Sequence, residues 1–397
     1  MAMTRIPGTR FLHSPGPTHV PDEVLNAMHR QPMDHGDPRL DQVIAAIDAG
    51  IKQLLQARES DLFMFSSNGH GAWEATIENL VAPGQAVLIP GTGHFSESWA
   101  VQAEALGRRV IRTPFREGFP IDANDVEQAL RADAKREIVA VFAVHTDTAS
   151  STTSDLGALR AAIDAARHPA LFVVDVVASL AAAPFAMHAM GVNVAVGASQ
   201  KGLMSPPGLG FVAVDRRAGE IAARNPAPRY YWDWGRRKAE YSYRKFCGTP
   251  PQNLLFGVEA ALALLFAEGV DAIVARHALL ARAVHAAVEC WSREGAVSFH
   301  CRVPAARSVS VTTIDTRAGI DPEAMRAVAR ERFQVAIAGG LGPQTGRAFR
   351  IGHLGNLNSA MILGCLAGVE AAMQVQGIPF GRGAMEGAIT SLAETRG

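Results

Sequence analysis

The sequence predicts an α/β protein, with a mainly parallel sheet in a large N-terminal region and a smaller α+β region behind it. From about residue 60 to residue 215, short β-branched runs alternate with helical patterns, the signature of βαβ units. Beyond residue 252 the order changes to two long helices, one alternating strand and two further helices. The 397 residues, at about 150 per domain, leave room for two or three folding units.

Within the first region the expected strands are Ala86–Pro90, Arg109–Thr113, Ile138–Val144, Ala170–Asp175, Val192–Gly197 and Gly210–Val214. Most are short and apolar, as strands covered on both faces must be. The helices between them are Gly71–Val81, Ser96–Leu106, Asp125–Ala132 and Asp155–Arg167. Ser154 stands where the last of these needs a cap, and His168-Pro169 ends it. Residues 216–252, with Tyr230-Tyr231-Trp232-Asp233-Trp234 and Gly248-Thr249-Pro250-Pro251, read as one long irregular excursion. Helices Asn253–Glu268 and Ala272–Ser292 follow, then a strand within Ser308–Ile314 and helices Pro322–Arg332 and Ser359–Gln376.

Hydrophobic residues make up 48% and charged residues 19%, so the chain can bury a core. Lys plus Arg (38) equals Asp plus Glu (38), which leaves no net field to draw nucleic acid or an anionic membrane. The apolar run Ala178–Ala186 is too short to span a bilayer. Met1–Gly8 lacks the apolar segment of a secretory signal, so a cytoplasmic protein is expected. Cys247, Cys290, Cys301 and Cys365 show no Cys-x-x-Cys spacing and are expected as buried thiols. Without His-Glu-x-x-His among the thirteen histidines, no metal is expected.

Lysines are scarce: Lys52, Lys135, Lys201, Lys238 and Lys245 are the five in the chain. Lys201 differs from the rest, following an apolar strand through Ala198-Ser199-Gln200. That is the edge where α/β sheets bind ligands, and desolvation there lowers an amine pKa toward that of a nucleophile. An arbitrary loop lysine is a surface group, but Asp175 ends the preceding strand, one αβ unit earlier. Strand-end aspartates alone usually cap or turn the chain; paired with a lysine, one can partner a positively charged heteroaromatic nitrogen. Pyridoxal phosphate needs that combination of lysine and acid. Ser66-Ser67-Asn68-Gly69-His70-Gly71 opens a helix with small residues and free amides, which suits a phosphate ester and also suits an ordinary cap. Gly91-Thr92-Gly93 follows a strand but lacks the third glycine of a dinucleotide fingerprint. Phe349-Arg350-Ile351-Gly352 offers a planar fork for a carboxylate, or a structural ion pair.

Together, Ser199-Gln200-Lys201-Gly202, Pro206-Pro207-Gly208, Asp175-Val176-Val177-Ala178-Ser179 and Gly339 to Gly352 resemble the alanine-glyoxylate and serine-glyoxylate aminotransferases. The resemblance runs from Ser14-Pro15-Gly16-Pro17-Thr18 to about Ala372. It implies a class V, fold-type I pyridoxal phosphate enzyme with an arm (1–20), a large cofactor domain (21–267) and a small C-terminal domain (268–397). It also implies a homodimer that shares its active sites. In that family pattern Lys201 forms the aldimine and shuttles the proton, and Asp175 pairs the pyridinium nitrogen. Phe95 stacks on the ring and Thr148 contacts the ring oxygen. Asn68, Gly69, His70 and Gln200 hold the phosphate with Thr249 of the neighbouring subunit. Arg350 holds the substrate carboxylate, with Gly16, His35 and Gly36 at the substrate.

Four departures stand out. Ala149-Ser150-Ser151 replaces a loop glycine, and Phe246 stands where a phosphate-binding tyrosine is common. Asp34-His35-Gly36 lacks the arginine of the serine-glyoxylate members, and His19 replaces an asparagine. The implied activity is transfer of an amino group from a small amino acid to glyoxylate or pyruvate. The alternatives are an unusual amine donor such as pyridoxamine, or a lyase of the same superfamily.

Overall fold

The strand and helix alternation builds a seven-stranded sheet. Across it the order is Asp61–Ser66, Leu209–Val214, Val194–Ala198, Leu171–Asp175, Ile138–Val144, Ala86–Ile89 and Arg109–Arg112. From Val194–Ala198 outward to Arg109–Arg112 all neighbours are parallel. Leu209–Val214 runs antiparallel to both of its neighbours, so the sheet is mixed but mainly parallel, as expected. The structure, a computed structural model, describes residues 7–394. Residues 1–6 of the expected arm lie outside that range.

Burial on both faces explains the apolar strands. Phe172 and Val174 point into a core with helices Pro38–Leu54, Leu156–Ala165 and Gln252–Glu268. Leu171 and Val173 point the other way, against Gly69–Leu80, His94–Ala105 and Arg216–Arg224. That alternation is the period-two rule of a strand, with hydrophobic partners supplied on both sides.

A five-stranded sheet carries the rest of the chain, in the order Phe11–His13, Val335–Gly339, Ala348–Gly352, Val311–Thr316 and Val297–Phe299. Helices Val270–Trp291, Pro322–Arg332, Ser359–Val375 and Ala384–Ala393 cover it and enclose a separate core. The N-terminal segment contributes its edge strand, parallel to Val335–Gly339. Residues 14–18 therefore leave this sheet and reach toward the loop after Val194–Ala198, where Thr18 Oγ1 donates to the Lys201 carbonyl at 3.0 Å.

Several sequence expectations change. Asp155, not Ser154, caps Leu156–Ala165, its carboxylate accepting the Ala158 N–H at 2.9 Å. Ser154 Oγ instead accepts the Ile121 N–H at 3.2 Å. The excursion after residue 215 begins with a regular helix, Arg216–Arg224, capped by Asp215. Only Ala218 and Ala222 of that helix are buried, and two alanines give too weak an apolar stripe to reveal a helix among arginines. Two single-turn helices, Trp234–Arg237 and Ser242–Lys245, break up the remainder. The strand placed within 308–314 is Val311–Thr316. Cys247 is only partly buried, unlike the other three thiols. Among the described residues no helix is long and apolar enough to cross a membrane, and no His, Cys, Asp and Glu cluster could hold a metal.

Candidate active site

Leu171–Asp175 and Val194–Ala198 are adjacent and parallel, so the residues that follow them emerge at one sheet edge. Asp175 closes the first strand, and Lys201 lies three residues past the second. Both line a cavity of about 300 Å³ whose other walls include Phe95, Thr148, Gln200 and Gly16.

Asp175 is fixed by two donors: Trp73 Nε1 to Oδ2 at 2.8 Å and the Val177 N–H to Oδ1 at 2.6 Å. Burial nevertheless dominates, pushing its pKa up to about 7, while the two donors and the Lys201 charge pull the other way. Burial brings Lys201 down to about 8, helped by the Arg350 charge and opposed by Asp175 and Asp147. The chain thus holds an acid and an amine that both titrate near neutrality. Lys201 Nζ donates to the Pro15 carbonyl at 2.5 Å. Gly16 makes that approach possible: a Cβ there would lie 2.5 Å from Lys201 Cδ and Cε, and its φ of 134° suits glycine.

At the other end of the cavity, Asn68 caps Gly69–Leu80, Oδ1 accepting the Gly71 N–H at 3.2 Å. The Gly69 and His70 amides precede the first intrahelical bond, which makes this helix start an anion site. Asn68, Gly69, His70 and Gln200 all border the cavity. The Asn68 carbonyl oxygen is already committed to the cap.

Arg350, expected as a planar fork for a carboxylate, is already engaged by the protein's own backbone. It is 6% exposed and stands behind Thr148 rather than in the cavity wall. Nε donates to the Gly339 carbonyl at 2.7 Å and Nη1 to the Thr148 carbonyl at 2.9 Å. Burial pulls its pKa down to about 10. His35, Gly36 and Thr249 do not line the cavity of their own chain. The Gly36 N–H is held by Asp34 at 2.8 Å, His35 packs edge-on to Tyr243, and Thr249 is exposed. Phe246 is buried in the core, where its ring needs no hydroxyl partner. His19 is partly buried, with an Nδ1 that has no partner. Ser151 takes φ 56°, the left-handed conformation that a loop glycine would adopt without strain.

Trp73 and Asp147 escaped the sequence reading, and Val177 entered it only as part of the Asp175-Val176-Val177-Ala178-Ser179 motif. Trp73 lies one helical turn past Gly69, but only the fold brings its N–H to Asp175. Asp147 sat unremarked beside Thr148, although its field acts on Asp175, Lys201 and Arg350.

Residues 10–350 match the Aminotransferase class-V family. A serine-glyoxylate aminotransferase of Methylorubrum extorquens is 38% identical over 383 residues, covering 95% of this chain and 94% of the relative. An L-aspartate-glyoxylate aminotransferase of Paracoccus denitrificans is 37% identical, with 92% and 91% covered. Among solved structures, the pyridoxamine-pyruvate aminotransferase of Mesorhizobium loti superposes with a TM-score of 0.87 at 25% identity, covering 98% of this chain and 99% of that one. The seven-stranded α/β layer is thus a fold-type I aminotransferase layer. A match over most of the length, joined to a buried aspartate and lysine at the ends of adjacent parallel strands, makes this chain a member of the class-V aminotransferases.

Proposed function

We propose that this aminotransferase moves an amino group from a small amino acid to glyoxylate, with pyridoxal phosphate seated between Asp175 and the start of helix Gly69–Leu80. The observation that carries this reading is the pair of perturbed groups, Asp175 and Lys201, lining one cavity. The donor set fits the cofactor. A buried carboxylate held by only two N–H groups retains capacity for a protonated ring nitrogen, and unpaired helix amides at the far end suit a phosphate. When bound, the cofactor supplies an aldehyde that captures amines and a protonated ring that accepts electrons.

The chain's own residues supply the rest. Asp175 keeps a proton on the ring nitrogen by electrostatic pairing. Lys201 Nζ, titrating near 8, can take and return a proton at nearly neutral pH. Phe95, Val177 and Pro207 give the cavity apolar walls that exclude water. Arg350 stands behind Thr148, and the N–H groups that Gly339 and Thr148 leave free would supply the charge for a substrate carboxylate that reaches it. Thr249, His35 and Gly36 do not line the cavity of their own chain, so in a homodimer with shared sites they would serve the neighbouring subunit's cavity.

The named substrates of the relatives support glyoxylate as acceptor. A second reading, pyridoxamine as donor to pyruvate, draws on the named substrates of the structural neighbour and on the missing cation at Gly36. Cofactor-loaded enzyme given serine, alanine, aspartate or pyridoxamine, with glyoxylate or pyruvate, separates them. Glycine formed from glyoxylate and one of the three amino acids is the expected outcome. Turnover confined to pyridoxamine and pyruvate establishes the second reading, and repeated turnover of a donor, beyond one equivalent per cofactor, without any acceptor indicates a lyase.

A further inference from the structure

The Asp147 carboxylate is fully buried and makes its bonds to backbone amides from two separate segments. Oδ2 accepts the Phe95 N–H at 2.8 Å, while Oδ1 accepts the Ala149 N–H at 2.8 Å and the Ser150 N–H at 3.2 Å. One segment is the start of helix His94–Ala105, which carries the Phe95 ring into the cavity wall. The other is the turn at residues 147–151, closed by the Ser151 N–H donating to the Asp147 carbonyl at 2.8 Å. Thr148 in that turn lines the cavity, and its carbonyl accepts from Arg350. The turn is also tied to the five-stranded sheet, where Thr313 Oγ1 donates to the Ala149 carbonyl at 2.9 Å and Ser151 Oγ accepts the Thr313 N–H at 3.1 Å. Gly93 lets the two segments approach, since a Cβ there would lie 2.6 Å from the Asp147 carboxylate.

We infer that Asp147 is a positioning residue that locks the Phe95 wall of the cofactor cavity to the Thr148–Arg350 arm that meets substrate, so that ring and substrate carboxylate are registered by one carboxylate. The argument is geometric. A carboxylate accepts on both oxygens, so it can join two sets of N–H donors; an amide presents one oxygen and, on the other side, a donor. In Asp147→Asn the amide NH2 would face either the Phe95 N–H or the Ala149 and Ser150 N–H groups, and one segment must move. The charge reinforces the arrangement, since Asp147 favours the protonated forms of both Lys201 and Arg350. The inference rests on the proposed use of pyridoxal phosphate and a carboxylate substrate.

Three variants of the cofactor-loaded enzyme, with Arg350→Ala as the reference for the last, test it: Asp147→Asn, Gly93→Ala, which pushes on the same carboxylate without changing its chemistry, and Asp147→Asn combined with Arg350→Ala. Each is read by kcat and KM for a donor amino acid and for glyoxylate, by the visible circular dichroism of the bound cofactor, and by the thermal unfolding midpoint. The expected result is that both single variants raise KM for donor and acceptor about tenfold or more and alter the cofactor dichroism. In the Arg350→Ala background, Asp147→Asn should add less than twofold to either KM, because its effect on substrate passes through Arg350. Multiplicative losses in the double variant overturn the inference, as does a fall in unfolding midpoint with KM and dichroism unchanged. If one single variant fails to fold, the other carries the same measurements. Absence of cofactor binding or transfer in the wild-type enzyme would instead refute the proposed function, leaving the two failures distinguishable.

Discussion

At the edge of the seven-stranded sheet, burial drives Asp175 and Lys201 toward each other, to about 7 and about 8. Beside the five-stranded sheet the same cause drives His13, His277 and His285 down to about 4 and His353 well below its ordinary value. The surroundings differ. Two of these histidines are satisfied at both ring nitrogens, His277 by the Ile273 carbonyl and the Gly355 N–H and His353 by the Val309 carbonyl and Thr312 Oγ1; His13 bonds only through Nδ1, to the Gly352 carbonyl, and none of the four lines the cavity. Asp175 and Lys201 instead face a cavity and keep unused hydrogen-bonding capacity toward it. Perturbation alone therefore does not mark a functional group; perturbation beside an open, incompletely satisfied space does.

The comparison breaks most sharply at Lys201. Lys201→Ala should leave the fold intact and lower amino transfer by about 10⁴-fold or more, the scale on which a reacting group in a concerted set is lost. Removing His285, which is also desolvated but lies away from the cavity, should leave kcat unchanged. Steady-state assays of both variants decide this, and comparable losses would erase the distinction between the two clusters.

Asp175→Asn comes next. It preserves shape and an acceptor for one of the two N–H donors but removes the charge that would pair a ring nitrogen. The expected loss in kcat is roughly 3 to 5 kcal/mol in barrier, as for other preorganised electrostatic partners. A near-normal half-reaction would reduce Asp175 to a strand-end brace for Trp73.

The histidine cluster sharpens the other side. Its folded-state pKa values lie below the unfolded value near 6.5, so the stability it carries is complete above pH 6.5 and is lost as pH falls toward 4. One such histidine accounts for about 3 kcal/mol across that window. Thermal unfolding between pH 7.5 and 4.5 should show a falling midpoint, and His285→Leu should flatten the slope. An unaltered slope in that variant would assign the acid sensitivity elsewhere.

Much of this was readable from the sequence, and the division has a physical basis. The sheet, Lys201 and Asp175 were accessible because apolar strand runs are local patterns and both residues sit immediately beyond such runs. Trp73 and Asp147 were not, because their meaning lies in contacts made 102 and 52 residues away. The histidines are spread from residue 13 to residue 353, and no local pattern announces that they meet. Arg350 was found, but its engagement with the Gly339 and Thr148 carbonyls depends on the register of three strands and a turn. The loop glycine replaced by Ser151 was noticed as a departure, and its left-handed φ needed the fold.

The central claim is that one lysine of five, Lys201, is the amine that engages the cofactor. The direct measurement is borohydride reduction of the cofactor-loaded enzyme followed by peptide mass mapping. The account predicts a pyridoxyl phosphate mass on the peptide containing Lys201 and on no other lysine. A label on Lys52, Lys135, Lys238 or Lys245 in its place, or full amino transfer with Lys201 never modified, would contradict it.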